Sequence, residues 1–249
     1  VALTSTFTIQ INQTFPSFNL DGKVEQKVTA EVSVLSQKSG IPLFSLPYDL
    51  SFVLKGMHVD LAFNGEKSSQ DLKEPGTSFF LSQLAEIVDK PIKLKLGSDH
   101  LIHDETGTLK KVLKEDPSLS SLSLSNFFND ILELPFALAG EKLALGKTFR
   151  RHQKKEMESH EITLEIITLD ATTVVARVKG HIPPHKVDHM GLLFKGSCEG
   201  VVKWKRANPL ICSSDMRYHY EGEMQIDDGF GTMEYHMQHK VVADGMAMP

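Results

Sequence analysis

No apolar run in this chain approaches the roughly 18 to 20 residues needed to cross a bilayer, because charge, glycine or proline interrupts each candidate. A membrane-spanning helix is therefore not expected. An excess of positive charge is missing as well: 27 Lys and Arg stand against 32 Asp and Glu, a formal net charge of -5. That balance argues against general affinity for nucleic acid or anionic membrane, and nucleic acid is not an expected partner. Cysteine is scarce. Cys198 and Cys212 could close one bridge in an oxidising compartment or stay free thiols in a reducing one. The chain opens at Val1 with no charged segment or apolar leader core, a start compatible with a cleaved leader and with a lipid anchor upstream of Val1. Tandem repeats are absent, and so is any complete catalytic, nucleotide or nucleic-acid motif, so no cofactor is implied.

What the sequence does contain is alternation with period two. With 249 residues, 41% hydrophobic and 24% charged, it is long enough for one large β domain or two smaller ones. Phe7, Ile9 and Ile11 alternate with polar neighbours, then Val24, Val28, Ala30, Val32 and Val34 do the same after the turn residues Asp21-Gly22. Tyr48, Leu50, Phe52 and Leu54 keep one phase and Met57, Val59, Leu61 and Phe63 the other, with Lys55-Gly56 between them. A two-residue hairpin loop or a glycine bulge at that point would each unite all eight on one face. In the second half, Ile162 to Ile166, Val174 to Val178, Leu193 to Trp204, Ile211 to Ile226 and Met233 to Val242 read as a meander of about five strands. On the long strand Met216, Tyr218, Tyr220, Met224 and Ile226 share a face, and Arg217, His219, Glu221, Glu223 and Gln225 share the other.

Two segments change period. Phe80, Leu81, Leu84, Ile87 and Val88 form a helical stripe over about 77–90, stopped by Pro91; Phe127, Phe128, Ile131 and Leu132 form a second over 125–134, stopped by Pro135. The fold class expected is mainly β with two helices (α+β): a large antiparallel, curved sheet or half-barrel meander packed on two short helices. It is read as one domain over 1–249, or as two β-meander halves, about 1–117 and 126–249, joined near the serine-rich stretch 118–125.

Four places invite a chemical reading. His181, His185 and His189, with Asp188 beside the last, repeat every four residues in "HIPPHKVDHM". On a helix they would share a face and could present imidazoles to zinc, but Pro183 and Pro184 break that helix, leaving a looped metal site, joined by His236 or His239, or an exposed inter-strand loop. "GSCEG" at 196–200 has the spacing of a nucleophile elbow with cysteine as nucleophile, yet β-like sequence follows it where an elbow requires a helix. If the next turn is centred between Ala207 and Asn208, Lys203 faces Cys212 and Cys198 lies five positions off, roughly 16 Å at strand rise, which forbids a bridge; a turn shifted towards Lys205 would pair the two cysteines. "FRRHQKKE" at 149–156 is the one dense basic cluster, and reads as a solvated strand or loop, or as a contact for a phosphate, an anionic lipid headgroup or an acidic partner.

The stretches "DKPIKLKLGSDHLIHDETGTLKKV" (Asp89 to Val112), "LPFALAGEKLALGKTF" (Leu134 to Phe149) and the closing "GLLFKGSCEGVVKWKRANPLICSSDMRYHYEGEM" resemble a class of uncharacterised exported bacterial β-rich proteins. The layout also resembles periplasmic lipoprotein carriers of the LolA type, in which a curved antiparallel sheet cups an apolar ligand beneath helices. The resemblance implies an exported location, periplasmic, outer-membrane-associated or secreted, and carries over no functional residue. The function expected is non-enzymatic: a lipid, another apolar ligand or a protein partner bound on the sheet, with Met216, Tyr218, Tyr220, Met224, Tyr235 and Met237 as lining residues. The alternatives are a metal-dependent hydrolase using the histidine cluster, with zinc activating water, and a structural or host-facing interaction module.

Overall fold

The computed structural model describes residues 2–14, 19–36, 47–74, 79–97, 102–104, 107, 138, 141–154, 159–187, 192–208, 211–226 and 229–244. Among them are twelve strands: β1 (Ala2–Thr14), β2 (Asn19–Ser36), β3 (Tyr48–Phe63), β4 (Glu66–Asp71), β5 (Pro91–Leu96), β6 (Ile102–Asp104), β7 (Thr148–Lys154), β8 (Ser159–Leu169), β9 (Thr173–Val187), β10 (Leu192–Lys205), β11 (Cys212–Ile226) and β12 (Gly229–Asp244). One helix, α1 (Phe79–Ala85), lies between β4 and β5. The second expected helix, over 125–134, lies outside the described residues.

All twelve strands belong to one antiparallel sheet, ordered β6-β5-β3-β2-β1-β12-β11-β10-β9-β8-β7, with β4 paired to the second half of β3. Most neighbours in space are neighbours in sequence, as hairpin connections favour. Two joins are not sequential: β3 pairs with β5 beyond β4, and β1 pairs with β12, Ala2 with Asp244 and Thr14 with Thr232, so one continuous sheet spans both of the meanders read from the sequence. Its main-β, antiparallel character matches the alternation that predicts it.

β3 decides between the hairpin and the bulge expected at Lys55-Gly56. It is a single strand in which Thr29 pairs with Gly56 and Ala30 with Leu54, leaving Lys55 as the extra residue. The bulge keeps Tyr48, Leu50, Phe52, Leu54 and Met57 buried on one face, with Val59, Leu61 and Phe63 half-buried beyond them. α1 is shorter than its apolar stripe. Val88 forms an isolated bridge with Leu54, and Asp89, at φ 58°, donates its N–H to the Leu54 carbonyl at 2.9 Å. The backbone that would extend the helix is thus tied to β3 beside the bulge, and Lys55 Nζ reaches Asp89 at 3.1 Å to close the corner.

A single core runs along one end of the sheet's apolar face. Phe52, Leu50, Leu94 and Ile92 from one half, and Trp204, Val202, Val174 and Leu164 from the other, are fully buried in it, with Leu81 and Leu84 of α1 and nearby Ile87 packed on top. Each such side chain contributes about 1.5–3 kcal/mol by leaving water.

The histidine-rich segment forms no loop through residue 187. Thr173 to Val187 is strand, and Pro183-Pro184 sit at a bulge opposite Phe194 and Gly196. The described pairing of β9 with β8 stops at His181, so the two prolines, which have no N–H to donate, fall where β9 pairs on one side.

Candidate functional site

The apolar face extends past the core. One transverse row of register partners runs Leu61, Val24, Ile9, Met237, Tyr218, Cys198, Gly180 and Ile162, crossing eight strands. Leu61, Val24 and Tyr218 are half-buried, whereas Cys198 and Ile162 in the same row, and Met216 and Tyr220 to either side of Tyr218 on β11, are closed. Of the six expected lining residues, Met216 and Tyr220 are buried and Tyr218 is half-buried, its ring stacked on that of Tyr220 at 6.2 Å and 10°. Backbone register brings the others alongside: Tyr235 pairs with Tyr220, Met237 with Tyr218 and Met224 with Gly231. Gly196 lies across from Tyr220, and a Cβ there would come within 3.1 Å of that ring and 2.6 Å of the His219 carbonyl oxygen, so only glycine fits.

The opposite face is polar and carries a row of its own: Lys23, Gln10, His236, His219, Ser197, His181, Glu161 and His152 are successive register partners. A shallow groove of about 590 Å³ lies over its centre, bordered by Gln10, Ser197, Arg217, His219, His236 and Gln238. Within it the His219 and His236 rings stack at 4.7 Å and 4°, and the Nε2 atoms of both lie against Oε1 of Glu234, at 3.0 and 3.2 Å. Two residues along the strands, Lys195 bonds Glu221 at 3.0 Å; this hydrogen bond holds the lysine above and the glutamate below their ordinary pKa. The pairing of His219 with His236 is legible in the hairpin: once Ile226 pairs with Gly229, counting back along both strands sets these two opposite each other.

Of the residues expected to hold a metal, His181 and His185 lie on β9. His181 pairs with Ser197, but His185 pairs with Phe194, three positions earlier on β10, so the bulge puts the two histidines on opposite phases of the sheet. Asp188 and His189 lie outside the described residues. Of the two histidines expected to arrive from the last strand, His236 belongs to the polar row beside His219, three strands along from His181.

On the hairpin of β3 and β4, Ser69 Oγ lies 3.2 Å from His58 Nε2, and His58 Nδ1 lies 3.4 Å from Asp71 Oδ2, the connectivity of a nucleophilic triad. The same Nε2 also faces Asp60 Oδ1 at 3.2 Å. A carboxylate only accepts, so a ring nitrogen donating to Asp60 has no lone pair left to take a serine proton. The cluster ties the hairpin together. "GSCEG" lies inside β10 with strand on both sides, so it is not an elbow. Cys198 pairs with Tyr218 and Cys212 with Trp204, roughly 20 Å apart along the strands; both are buried and no disulfide joins them. In the basic cluster, Arg151 forms an ion pair with Glu141 at 2.6 Å.

No family model matches the chain, and no curated protein matches it. Among solved structures, a lipovitellin structure described for its lipid–protein interactions aligns with a TM-score of 0.51 and 10% sequence identity. The alignment covers 100% of this chain and 26% of the lipovitellin chain, so this chain spans about a quarter of that protein's length. At that identity the likeness is one of fold, a broad antiparallel sheet. Among the described residues, no helix is long and apolar enough to cross a membrane.

Proposed function

We propose that the chain binds an apolar ligand, in the first instance the acyl chain of a lipid, along the apolar face of its sheet. The observation that carries this reading is the half-open row of Leu61, Val24 and Tyr218, continuous with a closed core yet itself left partly uncovered. A sheet face that needs only water exclusion would be closed along its length, whereas a surface that receives an acyl chain keeps part of its apolar area accessible. The fold shared with lipovitellin, whose structure is described for its lipid–protein interactions, supports the same reading. The phenolic group of Tyr218 adds a polar end to an otherwise apolar row, suited to an amphipathic ligand.

Titration of the chain with cis-parinaric acid, a fatty acid that fluoresces when removed from water, tests the proposal. Saturable enhancement is expected, and Tyr218→Asp should weaken it about tenfold or more by placing a charge beside the acyl chain. A flat titration, or equal binding by the variant, would sink it.

A further inference from the structure

The polar face holds a cluster that acyl-chain binding does not use. We propose that His219, Glu234 and His236 form a binding site for a divalent transition-metal ion, with zinc as its first candidate. One ligand atom from each residue lies within 4.8 Å of the others, and both imidazole Nε2 atoms are turned towards the same carboxylate oxygen. A tetrahedral zinc with bonds of about 2.0–2.2 Å holds its ligand atoms roughly 3.3 Å apart, so side-chain rotations of small extent bring this set to coordination distance. On binding, each Nε2 gives up the proton it donates to Glu234, which passes through solvent so that the neutral ring carries its one N–H on Nδ1, and the freed Nε2 lone pair goes to the ion. The two N–H···O contacts to Glu234 are exchanged for three bonds to the ion.

Position and donor type both favour such an ion. His219 and His236 are direct cross-strand partners on β11 and β12, and Glu234 precedes His236 by two residues, the spacing that returns a strand to the same face. Both strands are interior to the sheet, with β1 and β10 as outer neighbours, so the backbone presents the donors without rearrangement. Two imidazoles and one carboxylate suit zinc and its neighbours, whereas calcium and magnesium take oxygen ligands. The side chains are between 38% and 48% exposed, which leaves the fourth position open to water or to the Gln10 and Ser197 side of the groove.

Calorimetric titration of the untagged full chain with zinc chloride tests the assignment, with cobalt(II) absorption as a second readout. About one equivalent of zinc should bind, and His219→Ala and His236→Ala should each lower the affinity at least tenfold. His181→Ala should leave it unchanged, because two strands, about 10 Å, separate His181 from His219. Cobalt(II) should give visible d–d bands that vanish in the same two variants, and excess calcium should not compete. Glu234→Gln keeps the shape of the side chain; its weakened binding alongside an unchanged circular dichroism spectrum separates lost coordination from lost folding. No saturable uptake, or uptake undiminished in the His219→Ala/His236→Ala double variant, would overturn the proposal.

Discussion

Asp170 shows how much of this sheet's geometry is held by single side chains at its turns. Its Oδ1 accepts the backbone N–H groups of Thr172 and Thr173, each at 2.7 Å, and its carbonyl oxygen accepts from Arg206 Nη1 at 2.7 Å. The turn between β8 and β9 is thereby locked to the turn between β10 and β11, which a second bond, Arg206 N–H to the Thr172 carbonyl, reinforces. The backbone donors hold the Asp170 carboxyl below its ordinary pKa, Thr172 contributing most. A group whose folded pKa is depressed stabilises the fold above its unfolded value, near 3.9, and loses that contribution as pH falls through the folded one. Asp170→Asn should therefore lower the urea midpoint at pH 7, and the gap to the parent should narrow at pH 3. An equal gap at both pH values would mean that the carboxylate charge plays no part in the lock.

At the scale of elements, the single residue Lys55 sets the phase of a whole strand. The half of β3 before the bulge and the half after it face the core only because one extra residue stands between Leu54 and Gly56. Deleting Lys55 would invert one half and turn either Tyr48, Leu50, Phe52 and Leu54 or Met57, Val59, Leu61 and Phe63 to solvent. The expected outcome is loss of the cooperative unfolding transition, whereas Lys55→Ala, which keeps the count, should retain it; circular dichroism melts of both check the point. The phase change at this place is legible in the sequence, because apolar residues record which face is buried. Whether the chain turns back or bulges there is not legible, since each solution buries the same eight side chains. The apolar stripe over 77–90 contains α1 but does not mark its end at Ala85, because the bridge from Val88 to Leu54 is a long-range contact that no local pattern encodes. The histidine segment misleads for a similar reason: Pro183-Pro184 normally mark a loop, yet a strand tolerates them where its described pairing on one side has stopped. The polar pair of His219 and His236 is recoverable only after the hairpin register is fixed, and spacing along one strand draws the eye to His181 and His185, which the bulge separates.

For the whole molecule, the decisive feature is that the chain's first and last described strands meet in the middle of the sheet. β1 and β12 pair over their full lengths, and β12 supplies Glu234 and His236 to one face and the Met237 position to the other. This seam joins segments more than 200 residues apart, so its loop-closure entropy must be met before the pairing returns any free energy. Refolding should accordingly be slow, and the seam should close last. Removal of Ala2–Thr14 would leave β2 and β12 with open edges in the centre of the molecule, each a template for pairing with another chain. Removal of β6, three residues at the outer edge against β5, disturbs no interior pairing. The first truncation should abolish monomeric behaviour in size-exclusion chromatography and both proposed binding activities together, and the second should spare all three. If the chain lacking Ala2–Thr14 stayed monomeric and still bound zinc and cis-parinaric acid, β11 and β12 would be stable without the seam, and the two faces would depend on their own hairpin and not on the continuous sheet.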